Sequence, residues 1–392
     1  MKRSTRRSVI AIAISICGAC SSVSKVDSFD WMDGAERPFV RSPTLSVRWI
    51  FRLAPEFSDV YLPVENAAPA IDLGGGRIFT GSTNGTLWAL SHEGKRIYRY
   101  STDSPIETAP AFDPRTNQLY VGTVGAEIHA LNGADGSVRW RAKTPGPIRQ
   151  SPLLLKDALY VVTENDSVTA FDRSNGEVLW RYRREETRGL SIAGQAGLVH
   201  FENKLLTAFS DGAVVALDPG DGSVLWEHDT SLDVEGAGSE NLRLLDVDTT
   251  PIVVDGVVYV ASFSAGLYAL TASGGAEVWR NSELTSVTTS ACNGRFLVLS
   301  SANQGVLCLD LESRTLLWRF AVERGAPGEP TIAEQMVFVG ESGGAFLALS
   351  LKNGAEIARI EFGHGFSAPA STAKGRGFVL SNSGTLLAFN YW

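Results

Sequence analysis

The eleven-residue stretch Ala130-Leu131-Asn132-Gly133-Ala134-Asp135-Gly136-Ser137-Val138-Arg139-Trp140 returns almost unchanged as Ala216-Leu217-Asp218-Pro219-Gly220-Asp221-Gly222-Ser223-Val224-Leu225-Trp226. Ala170-Phe171 to Trp180, Ala269-Leu270 to Trp279 and Cys308-Leu309 to Trp318 keep the same spacing of nine residues from the second residue to the tryptophan. Ala89-Leu90 to Tyr98 is one residue shorter, and Ala348-Leu349 to Ala358 lacks the aromatic, which makes seven copies. Repetition at a period near forty means that each unit is one supersecondary element, unable to bury its apolar face except against its neighbours.

Each copy reads as an apolar strand, a turn of Asp, Asn and Gly, and a second strand ending on Trp; upstream stands another pair of apolar runs, such as residues 118–122. Four short strands per unit are the signature of a propeller blade. Gly136, Gly176, Gly222 and Gly354 supply the positive φ that a tight hairpin requires. The tryptophans are expected to pack between blades as core rather than to present a ligand platform. An eighth unit is split: residues 367–369, 377–380 and 384–389 give three strands, and residues 46–53 give the fourth, carrying Trp49. The expected fold is an all-β, eight-bladed β-propeller of four-stranded blades over residues 45–392, closed by an N-terminal strand that completes the C-terminal blade. Such closure removes sheet edges that would invite aggregation.

The N-terminus carries Lys2, Arg3, Arg6 and Arg7, then an apolar run from Val9 to Cys17. This is an export signal, too short for a stable membrane span. Gly18-Ala19-Cys20 before Ser21-Ser22 resembles the bacterial lipobox, which implies cleavage ahead of Cys20 and lipidation of that residue; Cys17 stands where the pattern has an aliphatic residue. Residues 1–19 are thus expected as signal peptide and residues 20–44 as a flexible tether. Cys292 and Cys308 fall on the first and third strands of one blade, beyond disulfide reach, and are expected as free thiols.

The repeat breaks in two places. Tyr98 to Pro110, Trp140 to Pro152 and Trp318 to Pro330 each span 12 residues, whereas Trp226 to Pro251 spans 25 and Trp180 to the equivalent Ala196 spans 16. Both insertions join the last strand of one blade to the first of the next, so they emerge on one face, and both flank the fourth blade. Residues 188–194 are apolar and glycine-bounded, and residues 232–248 are acidic. Apolar side chains rimmed by charge suit a protein interface.

The repeated Ala-Leu-Asp-x-x-x-Gly-x-x-x-Trp pattern resembles the pyrroloquinoline-quinone (PQQ) type propeller repeat. Leu242-Arg243-Leu244-Leu245-Asp246-Val247-Asp248-Thr249-Thr250-Pro251, together with the lipobox, resembles the BamB-like outer-membrane assembly lipoproteins. The resemblance implies a monomeric, non-catalytic scaffold, lipid-anchored through Cys20 on the periplasmic side of the outer membrane, within the barrel-assembly hetero-complex. It implies docking on the POTRA domains of the barrel-inserting subunit, with unfolded β-barrel proteins as clients. The implied contact residues are Leu190, Ser191, Ile192, Ala193 and Gly194 in the first insertion and Arg243, Asp246 and Asp248 in the second. Ile192 and Ala193 depart from the family's Leu and Arg.

A quinoprotein dehydrogenase or a periplasmic sensor propeller is the alternative on the same frame. The quinoprotein family implies a vicinal cysteine pair and a calcium site, and the chain has no adjacent cysteines. Its 5 histidines show no ligand spacing, Asp246 and Asp248 are too few for calcium, and Gly74-Gly75-Gly76 lacks the lysine of a phosphate-binding loop. No cofactor is expected. A net charge of −8 offers no basic stripe for nucleic acid.

Overall fold

A computed structural model of the chain describes residues 38–42, 44–53, 64–184, 195–234 and 244–392. Eight sheets stand around one axis, seven of them four-stranded and one five-stranded. Blades 1 to 7 span residues 70–101, 111–143, 153–183, 199–229, 252–281, 287–320 and 331–361. Blade 8 takes three strands from residues 371–391, and its outermost strand from β2 (Leu45–Arg52), which pairs with Thr385–Tyr391 from Leu45↔Tyr391 to Arg52↔Thr385. The eight-bladed propeller and its closure by the N-terminal strand are as the repeat predicts. Cys292 ends the first strand of blade 6 and Cys308 lies in the third; both are free thiols.

Apolar side chains of the middle strands fill the wedges between blades. Strand Ala213–Leu217 is buried throughout, whereas the outer strand Val224–Asp229 alternates with solvent. The recurring tryptophan seals most of the wedges. The Trp140 indole of blade 2 lies on Gly176 in the outer hairpin of blade 3, where a Cβ would sit 2.5 Å from Cε3 of the ring, and its Nε1 donates to the carbonyl of Arg173 at 2.9 Å. Trp180 on Gly222, Trp226 on Gly275 and Trp318 on Gly354 repeat the arrangement. These glycines therefore serve twice, as the positive-φ turn residue (φ 78 for Gly176) and as the bare surface on which a ring can rest. At Trp279 the glycine is replaced by Arg314, with φ 56 and its guanidinium 5.9 Å from the ring centroid.

The repeat that lost its tryptophan, at Ala358, now has an explanation. The next blade has no hairpin between its third and fourth strands, because β2 comes from the other end of the chain, so there is no glycine turn to receive a ring. Blade 7 differs in a second respect. β1 (Phe39–Arg41), within the stretch read as tether, pairs antiparallel with its outer strand as a fifth strand.

Strands reverse at every turn, so connections alternate between two faces. Turns joining first to second and third to fourth strands lie on one, here the lower face; turns joining second to third strands, and links between blades, lie on the upper.

Candidate partner-binding surface on the upper face

Blade 4 supplies the floor of this surface. Its second-to-third turn, Phe209 to Gly212, is held by the Gly212 amide donating to the Phe209 carbonyl at 3.2 Å. The first insertion leaves blade 3 through Arg184. That guanidinium donates to Asp211 at 2.5 Å and to Glu227 at 3.0 Å, and lies 5.6 Å from the Phe209 ring centroid. The Arg184 backbone amide donates to Asp166 at 3.1 Å, and Ser210 in the turn donates to the Asp166 carboxylate. The first insertion returns at Gln195, whose amide group donates to the Thr163 carbonyl and whose own carbonyl accepts from Gln150 at 2.5 Å.

The second insertion leaves blade 4 through a short 3-10 turn, Thr230–Asp233, capped by Asp229. Thr230 donates to the Gly212 carbonyl at 2.8 Å, and Asp233 pairs with Arg280 at 2.6 Å and accepts from Tyr268 at 2.9 Å. This turn leaves Leu232 82 % exposed. The return segment is pinned by Val247 donating to Phe209 at 3.3 Å, by Phe263 donating to Asp246 at 2.9 Å, and by the Thr250 hydroxyl accepting from the Gly197 amide at 2.8 Å. Both insertions are therefore rooted side by side on one turn of blade 4, which agrees with the spacing argument.

Asp246 and Asp248 differ from expectation. The sequence places them on an exposed acidic rim; in the structure Asp246 is fully buried and Asp248 is 7 % exposed. The segment folds inward over the Phe209 turn, and residues 246 to 249 are all buried, with Val247 in the apolar cluster between blades 4 and 5. Burial, with Asp246 and Asp166 nearby, pushes the Asp248 carboxyl up to about 7. Burial also raises Asp166, against the hydrogen bonds from Ser210 that lower it. Leu190, Ser191, Ile192, Ala193, Gly194, Arg243 and the lipobox with Cys20 lie outside the described residues. Arg184, Asp211, Ser210 and Leu232 were not singled out from sequence. The Ser210-Asp211-Gly212 turn looks like any other blade turn, and Leu232 stood unmarked within an acidic loop.

A further concavity is the central channel, about 580 Å³, with lining residues contributed by all eight blades. Arg149 there is ion-paired with both Glu107 and Glu164, and the enclosing walls push the carboxyl of Glu329 up to about 7. Among the described residues no group of three or more His, Cys, Asp and Glu is placed to hold a metal ion.

A family described as "Outer membrane protein assembly factor BamB" matches residues 115–315, just over half of the chain. The outer membrane protein assembly factor BamB of Yersinia pestis is 27% identical over 276 residues, covering 70% of this chain and 69% of that protein. The crystal structure of BamB from Moraxella catarrhalis superposes with a TM-score of 0.75 at 21% identity, over 88% of this chain and 100% of that one. A quinohemoprotein alcohol dehydrogenase from Pseudomonas putida HK5 shares the fold, with a TM-score of 0.69 at 12% identity over 88% of this chain and 76% of the enzyme.

Proposed function

The chain belongs to the family of the outer membrane protein assembly factor BamB, and on that premise we propose that it is a non-catalytic scaffold of the β-barrel assembly complex. It sits on the periplasmic side of the outer membrane, anchored by a lipid on Cys20. The surface around blade 4 docks on the POTRA domains of the barrel-inserting subunit and keeps unfolded barrel clients close to it. The observation that carries this reading is the common root of the two insertions on the Phe209 turn, beside the exposed Leu232. An apolar side chain displayed on a rigid mount is what a protein interface requires, since ordering costs are already met before contact. Leu190 and Ile192 are the aliphatic anchors proposed for the first loop.

The dehydrogenases share the fold, and fold alone does not carry chemistry. The chain has no vicinal cysteines to stack on a quinone. Affinity capture from detergent-solubilised envelopes with the tagged full chain tests the proposal. Recovery of a POTRA-containing barrel protein is expected; its absence, or stoichiometric quinone in the purified protein's spectrum, overturns it. Cys20→Ala should move the protein from the membrane to the soluble fraction or leave it unprocessed, and unchanged partition and mass would refute the anchor.

A further inference from the structure

Among the described residues, β1 is the one strand of this ring that belongs to no repeat. It pairs with the outer strand of blade 7, Glu356–Glu361, in the register Phe39↔Glu361, Val40↔Ile360, Arg41↔Arg359. Val40 packs against the cluster that holds Ile360, Phe362 and Phe389. Among the described residues no other blade carries a fifth strand. The outer strand it covers is also more enclosed than its counterparts: Ile357 is half-buried, where Leu179 and Leu225 at the same place on blades 3 and 4 are exposed, and Ile360 is buried where Tyr182 and His228 are half-buried. An added strand satisfies the edge and hides the aliphatic side chains beside it.

The direction of pairing fixes where the chain leaves the ring. The outer strand of each blade runs from the lower face to the upper, so the antiparallel β1 runs from upper to lower and its first residue, Phe39, lies on the upper face. The chain then turns between Arg41 and Leu45, where Thr44 accepts from the Trp392 amide at 3.2 Å, and climbs back as β2. Blade 7 stands across the ring from blade 3, and the two long insertions also open on the upper face.

We propose that β1 is a latch holding the N-terminal segment at the upper rim of blade 7, so that a lipid surface attached through that segment faces the same side of the disc as the loops around blade 4. Without the latch, the chain would leave from the start of β2 on the lower face, and any pull on it would load the strand that closes the ring. The 18 residues between Cys20 and Phe39 reach at most about 65 Å when extended, at roughly 3.6 Å each. The latch stands on the pairing alone; its membrane consequence rests on the attachment proposed above.

Two measurements on the mature full chain test this, comparing it with a variant in which Phe39, Val40 and Arg41 become Gly, Ser and Gly. In hydrogen exchange, the backbone amides of Arg359 and Glu361, which face β1, should exchange at least tenfold faster in the variant, while those at 385–391, under β2, stay unchanged. For orientation, both chains are held on phosphatidylcholine vesicles containing nickel-chelating lipid by a histidine tag replacing Cys20, in a Cys292→Ser background. A donor dye at Ala302→Cys on the upper face or Lys352→Cys on the lower reports energy transfer to a membrane acceptor. The latched chain should show about twofold greater transfer from the upper label, and the variant a ratio near one. Equal exchange in the two chains overturns the latch, and a ratio at or below one in the latched chain overturns the orientation. Because the tag replaces the lipid, failure of the Cys20 reading would appear only in the fractionation of Cys20→Ala.

Discussion

The Gly197 backbone amide donates to the Thr250 hydroxyl at 2.8 Å, joining the inner ends of two insertions that are 53 residues apart in sequence. Gly197 opens blade 4 and Thr250 opens blade 5, so one hydrogen bond sets the spacing between the bases of the loops. Thr250→Val keeps the shape and removes the acceptor. It should cost about 1 kcal/mol, the usual net value of such a bond, and should raise exchange at the Gly197 amide more than at amides of blade 8. Unchanged exchange would show that the loops are spaced by other contacts.

Gly176 and Gly256 separate two roles of glycine. Both have positive φ, 78 and 77, but a Cβ on Gly176 meets the Trp140 ring at 2.5 Å, whereas one on Gly256 meets nothing within 4 Å. Gly256→Ala should cost about 1 kcal/mol from backbone strain alone. Gly176→Ala adds overpacking against a buried indole and should cost about 1 to 3 kcal/mol more. Denaturant unfolding of the two variants checks the difference; equal losses would contradict the ring-on-glycine seal.

Asp248 makes stability depend on pH in a stated direction. Its folded carboxyl is raised from 3.8 to about 7, so between those values the folded state binds more protons than the unfolded one. Stability from this group therefore falls as pH rises through the window and is level above it. Asp248→Asn mimics the protonated form. At pH 8 it should be more stable than the parent, by up to about 4 kcal/mol at 1.36 kcal/mol per unit, and the gain should vanish near pH 4. Thermal or denaturant melts of both proteins across pH 4 to 8 measure it. A variant that is less stable at pH 8 would show that the ionised carboxylate is held by favourable partners.

The repeat made the ring legible, because the Trp and Gly that recur at fixed spacing are the two halves of one contact, repeated blade after blade. Its irregularities were legible only in part. The missing ring at Ala358 carries no cause in the sequence and is a consequence of closure by β2. β1 escaped because Phe39-Val40-Arg41 carries no repeat signal; what holds it is an edge supplied by a strand more than three hundred residues away. The burial of Asp246 and Asp248 escaped for a related reason. Alternating acids in a loop read as solvated, and only the fold of that loop over the Phe209 turn puts both carboxylates inside. The positions of the insertions, by contrast, follow from counting residues between Trp and Pro, and the structure roots both on blade 4.

The burial of the two acids also decides which substitutions can test the binding surface. Charge reversal at Asp246 or Asp248 would place an ammonium in the core and report on folding. Leu190, Ile192 and Leu232 belong to the loops themselves, and truncating an aliphatic anchor at an interface typically costs about 1.5 to 3 kcal/mol when it is buried by the partner. The central claim is therefore tested most directly by titrating the purified POTRA domains of the barrel-inserting subunit with the mature chain and with its Leu190→Ala/Ile192→Ala variant, alongside thermal melts of both. The account predicts binding by the parent chain, a loss of affinity of at least tenfold in the variant, and melting temperatures that agree. Equal affinities, or no binding by the parent chain, would contradict it.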